Sequence, residues 1–130
     1  MSDDDAEKIT DLRGAGERAM RAALPGVWPE GELKLRDGQL GEELVEIGLT
    51  SVWGSIWARE GLAPRDRSLV TLSLLIALRA ETELRTHVRI ALTNGLTEDE
   101  IAEVIYHSAG YAGFPAAVAA RTAAREALAK

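Results

Sequence analysis

The chain has 130 residues, a formal net charge of −6, 46% hydrophobic and 28% charged residues, and no cysteine. That length fits one domain with a real core, the acidic balance argues against binding nucleic acid, and the missing thiols exclude disulfides, thiolate metal sites and thiol catalysis. The acidic start, Met1 to Glu7, shows no secretory apolar segment, and no apolar run approaches a membrane span, so the expected location is the cytoplasm.

Residues 3–23 read as a polar helix weakened by Gly14 and Gly16, and residues 24–38, with Pro25, Gly26, Pro29, Gly31 and Gly38, read as a surface connector in which Trp28 is a candidate anchor. Residues 40–57 return to helical spacing through Leu40, Leu44, Ile47, Val52 and Ile56, interrupted by Gly48 and Gly54. Gly61-Leu62-Ala63-Pro64 breaks the chain, and Pro64 suits the first turn of the next helix. Residues 65–80 are apolar nearly all round, which belongs in a core or an interface.

Residues 81–94 form a second helix, with Leu84, Val88, Ala91 and Leu92 as a stripe and Gly95 as its stop. Thr97 and Glu100 have the spacing of a capping box, opening a helix to about Tyr111 with Ile101, Val104, Ile105 and Ser108 inward. Gly113-Phe114-Pro115 turns the chain into an alanine-rich helix over 116–129. The expected fold is all-α, five or six helices in one domain spanning 1–130, with a variable part over 1–38 and a core over 39–130.

Six arginines cluster around the two central helices, Arg67 and Arg85 among them, and a forked guanidinium suits a carboxylate ligand. His87 has Glu83 one turn earlier, a pairing expected to fix its tautomer and raise its pKa. The same spacing can equally mark a surface ion pair or a satisfied core histidine. His107, the other histidine, has Glu103 one turn back and Tyr111 one turn on. The two His–Glu pairs lie on different helices without H-E-x-x-H spacing, so no metal site is expected. Trp53 and Trp57, one turn apart, are either an aromatic wall for a flat ring or part of a core or interface. No glycine-rich phosphate loop or nucleophile elbow occurs, so no nucleotide cofactor is expected.

Several segments in order resemble one known family: Trp53 to Leu62, Arg67 to Leu72, Glu83 to Arg89, Asn94 to Thr97 with Glu100-Ile101, and Tyr106 to Ala117. Together they are similar to the carboxymuconolactone decarboxylase family over roughly Leu44 to Leu128. One branch of that family resembles a thiol peroxidase with a C-x-x-C-x-x-x-H motif. Setting its histidine on His87 puts the cysteines at Ala80 and Glu83 and a supporting glutamate at Ser68, none of which is present. The resemblance is therefore to the cysteine-free decarboxylase branch.

It implies an AhpD-like fold with a central antiparallel helix hairpin and a homo-oligomer, commonly a trimer or hexamer. It also implies cofactor-independent decarboxylation of 4-carboxymuconolactone or a related small lactone or keto acid in aromatic-compound degradation. In that reading His87 and Glu83 are catalytic, and Arg67, Arg85, Trp53, Trp57, Tyr111 and His107 hold the substrate. The alternatives are a same-fold isomerase or hydrolase on a different small acid, and a non-catalytic oligomeric binding protein.

Overall fold

A computed structural model describes residues 1–129, and every described regular element is helical. Helices α1 (Asp3–Ala23), α2 (Leu44–Gly48), α3 (Pro64–Ala77), α4 (Glu81–Thr93), α5 (Glu98–Ala112) and α6 (Phe114–Leu128) are accompanied by a π-helical segment over Leu49–Trp57. The chain folds as two compact units, residues 1–61 and 62–130, divided at the Gly61–Pro64 break.

In the first unit α1 begins at Ser2, whose hydroxyl accepts the Asp5 amide, and three aspartates in its first turn favour the helix N-terminus. The helix packs on the π segment. Met20, Leu33 and Leu49 form the buried centre, and Trp28 packs against them as the anchor of the connector. The expected regular helix over 40–57 is corrected here: residues 40–43 are turns, and beyond Gly48 the coil widens.

The Ala58 amide donates five residues back to the Trp53 carbonyl at 3.0 Å, the signature of a π turn. The widened coil sits against α1 at two glycines. A methyl group on Gly16 would lie 2.9 Å from the Gly54 nitrogen and closer still to the Leu49 carbonyl oxygen, and one on Gly54 would meet the Leu12 carbonyl. Backbone touches backbone in both directions, so glycines that weaken each helix alone are what let the pair approach. Arg13 completes the contact, donating to both carboxylate oxygens of Glu46 at 3.1 and 2.9 Å and to the Leu33 carbonyl at 3.2 Å.

In the second unit α3 packs on α4 and α5, and α6 packs on α4 and α5. The core joins Leu72 and Ile76 of α3, Leu84, Val88 and Ala91 of α4, Ile101 and Ile105 of α5, and the alanines of α6. Small side chains on α6 bring its backbone close to its neighbours. Pro64 occupies the first turn of α3, and Gly95 at φ 101° ends α4.

Both capping-box bonds at the start of α5 form: the Glu100 amide donates to the Thr97 hydroxyl, and the Thr97 amide to the Glu100 carboxylate, each at 3.1 Å. Helix α3, expected to be apolar all round, buries one stripe (Ser68, Leu72, Ile76) and leaves Val70, Leu74 and Leu78 exposed.

Candidate active site

Helix α4 carries the histidine on which the chemistry would turn. His87 is half-buried beside the buried Val88, and Glu83 one turn earlier is exposed. Burial lowers the imidazole pKa below its ordinary value, and the Glu83 charge acts in the opposite direction with smaller effect. Glu83 acts on the pKa in the expected direction, but desolvation outweighs the carboxylate and the net shift is downward. At neutral pH the ring rests uncharged, with one nitrogen able to donate and the other to accept.

Arg67 lies in the first turns of α3, half-buried, its carbonyl accepting the Thr71 hydroxyl at 2.8 Å. Arg85 is on α4 but its guanidinium is engaged at 3.2 Å by Glu126 of α6, with a weaker contact to Thr82. His107 and Tyr111 stack on α5 with ring centroids 5.2 Å apart, and both are exposed. His107 lines an open groove of about 440 Å³ with Leu69, Ser73, Val104 and the carboxylates of Glu100 and Glu103, an acidic surround for an anion.

Trp53 and Trp57 belong to the first unit, stacked with centroids 5.1 Å apart and planes at 28° on the π segment. Residues four apart share one side of a helix, as His107 and Tyr111 also do on α5. Among the described residues no three metal-ligating side chains converge, and no helix is long and apolar enough to cross a membrane.

Two residues outside the expected site set lie in the first turns of α3 beside Arg67. Ser68 is 1% exposed, and its hydroxyl accepts the Asn94 side-chain amide at 3.0 Å. Ser68 shares the four-residue spacing of Leu72 and Ile76, so a polar residue on the inner stripe of α3 was the signal available in the sequence. The Arg65 guanidinium pairs with Glu100, the residue that closes the capping box. This pair and, more strongly, the Thr97 backbone amide hold the Glu100 carboxyl below its usual range.

The profile of the Carboxymuconolactone decarboxylase family matches residues 43–126, nearly two thirds of the chain. The chain is a member of that family. Among its relatives is a 4-carboxymuconolactone decarboxylase of Acinetobacter baylyi, 50% identical over 74 residues that cover 57% of this chain and 55% of the relative. A nitrosuccinic acid decarboxylase of Metarhizium robertsii is 39% identical over 103 residues, covering 68% and 72%. An uncharacterized 15.0 kDa protein of Paracoccus denitrificans is 36% identical over 75 residues, covering 55% and 56%. The chain thus spans little more than half the length of the first of these relatives. Both relatives with a named activity are decarboxylases, and the family match runs through Trp53, Arg67, His87 and His107 alike.

Proposed function

We propose that the protein is a cofactor-independent carboxy-lyase acting in the cytoplasm on 4-carboxymuconolactone, or on a small carboxylic acid that carries its own electron sink, in aromatic-compound degradation. The observation that carries the proposal is His87: a half-buried imidazole, uncharged at rest, one turn from a carboxylate, in a chain whose named relatives remove CO₂.

The substrates for which these two relatives are named share one chemical property. In a carboxylated unsaturated lactone, electrons released by loss of CO₂ move through the conjugated system onto the lactone carbonyl. In nitrosuccinic acid, loss of the carboxyl beside the nitro carbon moves them onto the nitro group. In each case the C–CO₂ bond breaks, the pair rests on oxygen, and a proton later forms a C–H bond at carbon. Such a substrate asks the protein for three things: a cation to hold carboxylate, a donor for the developing oxyanion, and a proton.

Arg67 supplies the cation, its planar fork matching a carboxylate. His87 supplies the donor and the proton. A dianionic substrate beside an uncharged imidazole raises its pKa, so the ring gains its proton as substrate binds and returns it to carbon after CO₂ leaves. Glu83 orients the ring and supports the imidazolium. Tyr111 walls the ring of the substrate, and Arg85 and His107 contribute further polar contacts in the same reading. The nitrosuccinic acid relative favours a second substrate class, an acyclic activated dicarboxylate, served by the same residues.

A homo-oligomer, trimer or hexamer, accompanies the proposal. Val70 and Leu74 of α3 and Leu78 just beyond its end repeat every four residues and are each at least half exposed, an apolar stripe that a second copy of the chain would cover.

The test is CO₂ release from 4-carboxymuconolactone and from nitrosuccinate by the wild-type protein, by His87→Ala and by Arg67→Gln. Turnover by the wild type, its loss in His87→Ala with retained helicity, and a raised KM in Arg67→Gln are expected. Near-full activity in His87→Ala would remove the imidazole from the reaction.

A further inference from the structure

The first turns of α3 are tied down at three places, and Arg67 lies between them. The Asn94 side-chain amide donates to the Ser68 hydroxyl at 3.0 Å and to the Pro64 carbonyl at 3.4 Å. Arg65 pairs with Glu100 of α5. The anchor of the clamp is itself fixed: Asn94 caps α4, its own amide bonded to the Ile90 carbonyl at 2.9 Å, and the next residue takes φ 101°. Asn94 also lies seven residues beyond His87, which on a helix is the same side two turns on, about 10 Å along the axis. One helix therefore carries both the imidazole and the amide that grips the turn bearing the guanidinium.

We propose that Asn94 and Ser68 are positioning residues whose half-buried amide–hydroxyl clamp sets the reach of Arg67 relative to His87, and so governs how tightly the protein holds a small dicarboxylate. This rests on the reading of Arg67 and His87 given above. An amide suits the task because the two hydrogens on its one nitrogen can engage a side-chain hydroxyl and a main-chain carbonyl together. An apolar pair of equal volume would fill the space without fixing the turn, since packing is not directional as a hydrogen bond is. Ser68 fits because its small hydroxyl, almost fully buried on the inner stripe of α3, accepts the amide that the α4 terminus brings to it. Long side chains such as Arg67 amplify any tilt of the turn from which they spring, and a misplacement near 1 Å is enough to cost a bound ligand much of its affinity.

The test uses the full chain and succinate as the probe, titrated calorimetrically at neutral pH with wild type, Arg67→Gln, Asn94→Ala, Ser68→Ala and Ile76→Val. Ile76→Val thins the same inner stripe of α3 two turns further on, so it reports what plain destabilisation does. The expected result is about tenfold weaker succinate binding in Arg67→Gln and in Asn94→Ala, a smaller loss in Ser68→Ala, and no more than about a twofold change in Ile76→Val. Asn94→Asp, which can donate to neither Ser68 nor Pro64 and sets a carboxylate against the Pro64 carbonyl, is expected to weaken binding at least as much as Asn94→Ala. Weakening in Arg67→Gln with unchanged affinity in Asn94→Ala overturns the clamp alone. Equal weakening in Ile76→Val and Asn94→Ala also overturns it, since a structural role then suffices. No succinate binding to the wild type, or binding indifferent to Arg67→Gln, brings down the carboxylate site and the clamp together.

Discussion

Replacing Gly16 by alanine separates two effects that sequence alone confounds. In an isolated helix the change stabilises by about 1 kcal/mol, because alanine is the better helix former. At this position the new methyl group falls 2.9 Å from the Gly54 nitrogen and nearer to the Leu49 carbonyl, inside the 3.0 Å that real Cβ atoms essentially never breach. Both obstacles are backbone, so α1 and the π segment must move apart. Overpacking of this kind costs about 1–3 kcal/mol and more where no side chain can yield, and separation also strains the Arg13–Glu46 pair beside it.

The net expectation is destabilisation by about 1–3 kcal/mol despite the helix-propensity gain. Gly14→Ala, two residues away, is the control: its methyl meets only the end of the Arg18 side chain at 3.3 Å, which can swing aside, so a gain of up to about 1 kcal/mol is expected. All three tryptophans lie in residues 1–61, so urea unfolding followed by tryptophan fluorescence reads this unit directly. A Gly16→Ala protein as stable as Gly14→Ala would refute the close approach.

Three further expectations follow from the same structure. Because burial holds the folded His87 pKa below the ordinary value of about 6.5, the unfolded chain takes up a proton first on acidification. Stability therefore falls as pH drops through that ordinary value and levels off below the folded one. His87→Gln should flatten this part of a denaturation-versus-pH curve, and an unchanged slope would contradict the burial. Glu46 has linkage of the same sign, at the lower pH of a carboxylate. Its hydrogen bonds from Arg13 lower its pKa, so their contribution is complete above the ordinary carboxylate value and is lost as pH falls through the folded one. Glu46→Gln should destabilise the protein by about 1–2 kcal/mol near neutrality and by less in acid, as judged by urea midpoints. Thr97→Ala removes the cap of α5 and should cost about 1 kcal/mol, whereas Thr97→Ser should cost little; equal midpoints for the two would deny the capping box its role.

What the sequence made legible was what local patterns encode. The bounds of α1, the proline start of α3, the glycine stop of α4 and the capping box of α5 all rest on signals within a few residues of one another, and each is where the pattern put it. Trp28 could be picked out as an anchor because a lone tryptophan in a proline- and glycine-rich stretch has little else to do. The π segment was not legible, since Leu44, Val52 and Ile56 fit a regular helix equally well and the widening accompanies a glycine contact with a helix some 38 residues earlier in the chain.

The sign of the His87 shift was hidden for a related reason. Glu83 is visible at its i−4 spacing, but the burial that outweighs it depends on packing from beyond the helix. The Ser68–Asn94 bond joins residues 26 apart, and only the misfit of a serine among leucines hinted at it. Arg85 shows the converse limit: its sequence neighbourhood suggested a ligand-holding guanidinium, while the fold brings Glu126 to it from 41 residues away.

The central claim is that the substrate carbon protonated after CO₂ leaves receives its proton from the ring at position 87. It is met most directly by incubating carboxyl-¹³C-labelled 4-carboxymuconolactone with the protein in D₂O and following the carbon spectrum. Conversion of the labelled carboxyl signal to bicarbonate, with one deuterium in the product and neither change in the His87→Ala protein, is the predicted outcome. A labelled carboxyl that persists in the presence of wild-type protein, or that disappears equally fast without the imidazole, would contradict it.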